Sequence, residues 1–309
     1  MGEILANKAA IEEFTLKSLF SYAESKYNNR FNLNVGKRDD RHIIYKYMSI
    51  DSFKKSINYD GKGKESLRFI EPTGWLDKYE RRFYLADYAN LAANEEDAPR
   101  VYGNCFTTNK TSDAAWYVYR DSKLLSQGNS DGYCVKLRIN RSKLCEQLCR
   151  FGQQKDYKIY DGLVDYSLND TQIRYLHKKQ RPYNIGPTTQ DKENPLFKKI
   201  FGNKEIPLFE KYLNLLLIKR EIFKYENEFR IFLVNTPTSA KKAKITQKAQ
   251  PVFACVNWSQ CLESVEVDSN YPKNEFEELK AFCNSELVVK NFTWENHNGM
   301  EDNIKIDSI

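Results

Sequence analysis

The chain has 309 residues, enough to bury one large core or two modest ones. Hydrophobic residues at 41% and charged residues at 29% give a globular composition rather than a disordered one, while the formal charge of +6 fits either a polyanionic partner such as RNA, DNA or a nucleotide, or a plainly solvated surface. Seven scattered cysteines, no CxxC pair and only three histidines (His42, His177 and His297) argue against a disulfide framework and a structural zinc site, so buried free thiols in a reducing cytoplasm are expected.

The N-terminal stretch carries acidic residues early and no apolar segment of secretory length. Apolar runs such as Leu215 to Ile218 fall far short of the ~20 residues that cross a bilayer, so no membrane segment is expected. Periodicity predicts an amphipathic helix over 8–27, with Ile11, Phe14, Leu19 and Tyr22 near one face, followed by a polar linker. Ile43 to Met48 reads as a strand, Ser49 as the cap of a short helix carrying Phe53 and Ile57, and Leu67 to Ile70 as a second strand. Val101 to Thr108 reads as a strand running into a turn, Asp113 to Arg120 as a helix, and Tyr133 to Ile139 as an alternating strand. A helix opens at Ser142, and Tyr157 to Tyr166 is a further strand. Residues 180–204 form a long loop, Phe209 to Arg220 a leucine-faced helix, and Glu228 to Val234 a strand of high propensity. A basic loop holding Lys241, Lys242, Lys244 and Lys248 precedes strands at Val252 to Val256 and Ser264 to Val267, a helix at Lys273 to Cys283 and a last strand at Glu286 to Phe292. Strands and helices are mixed without regular alternation, and there is no GxGxxG or GxxxxGK[ST]. The expected class is α+β with a mixed or antiparallel sheet, arranged as an N-terminal helix and linker (1–40), one main domain (41–295) and a polar tail (296–309).

Four groups of residues can carry chemistry. Glu226-Asn227-Glu228 stands at the head of the strand Phe229 to Val234; two carboxylates at i and i+2 on a strand share a face, and one of them can stabilise the positive charge of an oxocarbenium-like sugar carbon. The structural alternative is a surface ion pair of Glu228 with Arg230 or Lys224. In Tyr45-Lys46-Tyr47 the tyrosines point one way and the lysine the other; Lys46 can hold a phosphate and a tyrosine can stack on a flat ring, or the segment is a half-buried strand with a solvated lysine. Thr107 and Thr108 end a strand where hydroxyls can orient neighbours, and Trp116 and Tyr119 share a helix face that suits either a core or a ligand. The loop lysines, Lys241, Lys242 and Lys244 among them, can track a phosphate backbone or form a solvated face. No Ser-His-Asp or Cys-His arrangement stands out.

In order and spacing these pieces resemble a widespread bacterial family of undetermined function. Its pattern is matched by Tyr45-Lys46-Tyr47, then Trp75, Asp77 and Glu80, then Cys105-Phe106-Thr107, then Trp116 and Tyr119, then Glu226, Glu228 and Arg230, over about Ile43 to Phe292. Thr107 stands where serine is usual. The layout is similar to the ADP-ribosyltransferase superfamily, some of whose bacterial members are toxins, including phage-defence toxins acting on RNA. That resemblance implies a split sheet around a cleft, NAD as the consumed cofactor and Glu228 as the catalytic carboxylate. Thr107 would orient Glu228, and the first-strand tyrosines Tyr45 or Tyr47 would position NAD, where the best-known branches carry Arg or His. Lys46, Trp116 and Tyr119 fall in the same NAD-binding set.

The reading is therefore a cytoplasmic NAD-dependent ADP-ribosyltransferase, a toxin or phage-defence protein that modifies nucleic acid, RNA before DNA, or a protein acceptor, with an antitoxin as a possible partner. An enzymatic rival is a nuclease or other hydrolase holding a metal on Asp77, Glu80, Glu226 and Glu228; a non-enzymatic rival is a module that binds nucleic acid or a partner. As a cleft carboxylate, Glu228 is expected to accept replacement by Gln without loss of the fold.

Overall fold

The computed structural model describes residues 20–21, 43–59, 61, 64–75, 100–173, 213, 216–235, 250–286 and 293–296. A two-residue strand β1 (Phe20–Ser21) is followed by β2 (Ile43–Ser49) and helix α1 (Ile50–Ile57). Ser49 closes the strand and opens the helix: its hydroxyl accepts the Ser52 amide at 3.2 Å, and α1 then buries Ile50, Phe53 and Ile57 at helical spacing. Next come β3 (Ser66–Phe69), a 3-10 turn Pro72–Gly74, β4 (Val101–Thr107), α2 (Asp113–Val118) capped by Ser112, and α3 (Ser122–Ser126) capped by Asp121. Strand β5 (Cys134–Asn140) leads into α4 (Arg141–Lys155), and a left-handed Asp156 (φ 57) turns the chain into β6 (Tyr157–Leu163). A 3-10 helix Glu221–Glu226 precedes β7 (Glu228–Asn235). The order closes with β8 (Val252–Cys255), α5 (Trp258–Cys261), β9 (Leu262–Val267), α6 (Lys273–Glu286) and β10 (Thr293–Asn296). The protein is α+β with a mostly antiparallel sheet: β1 with β6, β2 with β4 and β5, β5 with β9, and β6 with β7 pair antiparallel, and β9 with β10 pairs parallel.

The chain divides into two interleaved units. The first comprises 1–37, 69–104 and 152–252, and its strands run in the order β1-β6-β7-β4. Here β6 and β7 are in continuous register from Tyr157↔Asn235 to Leu163↔Phe229, and β7 is buried from Glu228 to Val234. The second comprises 38–68, 105–151 and 253–309, with the order β4-β2-β5-β9-β10; β4 belongs to both because the division falls between Asn104 and Cys105. In the second unit β2 pairs with β5 from Ile43↔Asn140 to Ser49↔Cys134, and Ile44, Val135, Leu137, Ile139 and Val265 are all fully buried.

Three sequence expectations are corrected. Within the expected helix over 8–27, Phe20 and Ser21 are strand instead, pairing with Asp161 and Tyr160 of β6; a sheet edge supplies hydrogen bonds that local periodicity does not foresee. The rest of that span, and the linker after it, lies outside the described residues. The leucine-faced helix does not reach Arg220: Leu213 is helical, but Ile218 forms a parallel bridge with Asp165, and Leu216, Leu217 and Ile218 are all buried. A run buried on every side carries no helical stripe, so apolar content alone misassigns it. Glu286 ends α6 rather than starting a strand; the rest of that expected strand, 287–292, lies outside the described residues, and the last strand among the described residues is Thr293–Asn296.

Candidate functional site

In the first unit the head of β7 gathers charge. The 3-10 helix ends at Glu226, and Asn227 takes a left-handed conformation (φ 42, ψ 54) that asparagine tolerates better than most residues. Glu228 is then the first residue of β7, fixed through its own backbone: its amide donates to the Tyr166 hydroxyl at 3.0 Å and its carbonyl accepts from the Val164 amide at 2.9 Å. Its side chain is only 6% exposed. The Arg230 guanidinium meets it with a two-pronged fork, Nε to Oε1 at 3.0 Å and Nη2 to Oε2 at 2.8 Å. Lys219 Nζ approaches the same Oε2 at 3.2 Å and reaches Glu226 at 2.5 Å, so one ammonium is shared by two carboxylates. Two anions and two cations balance.

Arg230 is fully buried. Its Nη1 donates to the Leu216 carbonyl, and its Cζ lies 4.5 Å from the centre of the Trp75 ring, which stacks at 6.5 Å on Phe232. Burial raises the Tyr166 phenol well above its ordinary range, with the Glu228 charge adding to it. Burial also raises the Glu226 carboxyl, against the opposing pull of Lys219.

Glu226 and Glu228 are thus neighbours, but not as alternate residues of one strand. Glu226 belongs to the 3-10 helix, and the left-handed Asn227 with the shared Lys219 brings the two together. The pair of Glu228 with Arg230 does form, as a buried fork rather than a surface contact, and the second cation is Lys219 instead of the exposed Lys224. Glu228 is therefore not freely replaceable, since losing its charge strands a buried guanidinium. Lys219 and Tyr166 escaped the sequence reading. Lys219 arrives through an irregular link in which the Asp165 amide donates to Leu217 and the Lys219 amide to Asp165, and no periodicity encodes that link.

The second unit holds the other residues of interest. Tyr45, Tyr47 and Trp116 are buried and pack together with Cys134, Tyr47 meeting Trp116 edge-on at 5.3 Å and stacking on Tyr119 at 6.2 Å. Tyr119 is 42% exposed. Lys46 lies on the opposite face, donating to the Cys105 carbonyl at 2.9 Å and sitting 5.0 Å from the Phe106 ring centre. Thr107 is buried in register with Tyr45, and its hydroxyl accepts the Asn109 amide at 3.0 Å. Two further charges were not foreseen: Lys136, in register with Tyr47, pairs with Glu266 and lies within 5.8 Å of the ring centres of Tyr45 and Trp116. Burial, with the Glu266 charge adding, raises the Tyr47 phenol above its usual range.

Asp77, Glu80, Lys241, Lys242 and Lys244 lie outside the described residues. Among the described residues, no cluster of three or more His, Cys, Asp or Glu is placed to hold a metal ion, and no helix is long and apolar enough to cross a membrane. No protein-family model matches this chain, and no curated protein or solved structure does.

Proposed function

We propose that the protein is an NAD-dependent ADP-ribosyltransferase whose catalytic carboxylate is Glu228, a bacterial toxin or phage-defence enzyme with nucleic acid, RNA before DNA, as acceptor. One observation carries the reading: a carboxylate at the head of a buried strand is fixed through its backbone and clamped by Arg230, with Glu226 beside it across one shared lysine. Such a group supplies what cleavage of the nicotinamide–ribose bond needs, a negative charge already in place where a sugar carbon becomes cationic. Lys219 ties Glu226 to Glu228, which holds the two carboxylates side by side. The net charge of +6 and the lysines Lys241, Lys242 and Lys244 suit a polyanionic acceptor.

The same fork also favours a second reading, a binding module in which Glu228 and Arg230 are a structural pair. The metal-dependent hydrolase is favoured less, because the charges of Glu226 and Glu228 are already matched by Lys219 and Arg230. Incubation of the protein with labelled NAD and cell extract separates them. Nicotinamide release without added divalent metal is expected, with label passing to a nuclease-sensitive product. Glu228→Gln, tested below its melting temperature, is expected to lose about 10²–10³ in rate. A wild type that releases no nicotinamide with any extract favours the binding module.

A further inference from the structure

We propose that Arg230, seated on Trp75, is the positioning residue of this site: it sets the plane of the Glu228 carboxylate and compensates its charge, and Trp75 is the platform that sets Arg230. The inference rests on the reading of Glu228 as the catalytic carboxylate. Glu228, Arg230, Phe232 and Val234 share one face of β7, so Arg230 occupies a place that an apolar residue would fill at no cost in desolvation. An apolar residue there packs, but it cannot orient a carboxylate. The guanidinium meets both Glu228 oxygens through Nε and Nη2, at 3.0 and 2.8 Å, and its Nη1 is held by the Leu216 carbonyl. Every edge of the planar group is thereby committed, and its face rests on the indole 4.5 Å away. The indole is fixed in turn by Gly103, where an added Cβ would lie 2.5 Å from Trp75 Cζ2. Gly103 is itself bridged to Ile70, its amide donating to the Ile70 carbonyl at 2.8 Å and its carbonyl accepting the Ile70 amide at 3.1 Å. A chain of contacts therefore runs from the β4 backbone through Trp75 and Arg230 to the reacting carboxylate.

The variants are Arg230→Lys, which keeps the charge and loses the fork, Trp75→Leu, which removes the platform, and Trp75→Phe, which restores a ring. Circular dichroism selects temperatures at which each is folded. In NAD cleavage, Arg230→Lys is expected to lower kcat about 10- to 100-fold with little change in KM. The acid limb of its pH profile moves to higher pH, because an ammonium in place of the fork protects the anion less, while Lys219, Glu226 and Tyr166, which also face Glu228, are the same in both proteins. Trp75→Leu follows in the same direction and Trp75→Phe recovers most of the activity. A purely structural role predicts lower stability with kcat and the acid limb unchanged in the folded variants, and that result overturns the proposal. A second readout does not depend on NAD: the Glu228 carboxyl resonance in protein labelled with 13C-carboxyl glutamate begins to titrate at higher pH in Arg230→Lys than in the wild type. Absence of NAD cleavage by the wild type defeats the functional reading alone, whereas coincident titrations of Glu228 in wild type and Arg230→Lys defeat the positioning role.

Discussion

Glu228 and Glu226 are both acidic and two positions apart, yet their surroundings give them different consequences when neutralised. Glu228 is the direct partner of a fully buried guanidinium, and removing one charge of such a pair costs about 3–5 kcal/mol because the other is left uncompensated. Urea unfolding of Glu228→Gln is expected to show a loss of that order. Glu226 has a side chain 22% exposed and shares Lys219 with Glu228, so Glu226→Gln is expected to cost about 1 kcal/mol or less. Burial holds the Glu226 carboxyl above its ordinary range in spite of Lys219. A raised carboxyl binds its proton more tightly in the folded than in the unfolded chain. Its contribution to stability is thus complete below the unfolded value and is lost as pH rises through the folded one. The stability of wild type relative to Glu226→Gln should accordingly fall as pH is stepped upward through the carboxylate range. A relative stability that grows with pH would mean that the pull of Lys219 outweighs burial.

Among the elements, those with a strong local signal were legible: β2, β4, β5, β7 and α1 lie within a residue or two of where alternation and the Ser49 cap place them. Strand β1 and the end of the leucine-rich segment were not, because their backbones are satisfied by distant partners, Asp161 and Tyr160 for β1 and Asp165 for Ile218. The candidate site was half legible for the same reason. Glu226, Glu228 and Arg230 stand together in the sequence, while Lys219 and Tyr166 reach the site through non-local hydrogen bonds. The hinge of the site is the junction of the 3-10 helix and β7, where Asn227 is left-handed. Alanine and glycine both delete the asparagine side chain, so comparing them isolates the backbone. Asn227→Ala is expected to be less stable than Asn227→Gly by about 1 kcal/mol, a steric cost in the left-handed region partly offset by the greater unfolded-chain entropy of glycine. Equal urea midpoints would show that Asn227 is not held in this conformation in solution.

For the whole molecule, the irregular mixing of strands and helices foretold the α+β class, but not the division into two interleaved units, since each unit is assembled from three separate segments. All seven cysteines fall within the segments of the second unit, and all are free thiols. Cys134, Cys145, Cys149, Cys261 and Cys283 are buried, Cys105 is partly covered and Cys255 is exposed. Reaction with a disulfide reagent requires a thiolate and access to it. Burial denies access to all five core thiols, and it pushes Cys261 and Cys283 up to about 12 and Cys134 in the same direction, so those three stay protonated at neutral pH. Titration of the native protein with an aromatic disulfide at neutral pH is therefore expected to show one fast thiol, Cys255, a slower one, Cys105, and the remainder only after unfolding. Cys255→Ser should abolish the fast phase and leave the others unchanged. The mass of the unreduced protein should equal that of the fully reduced chain. Fast labelling of three or more native thiols would mean that the second unit opens readily and that its core is not the packed interior described.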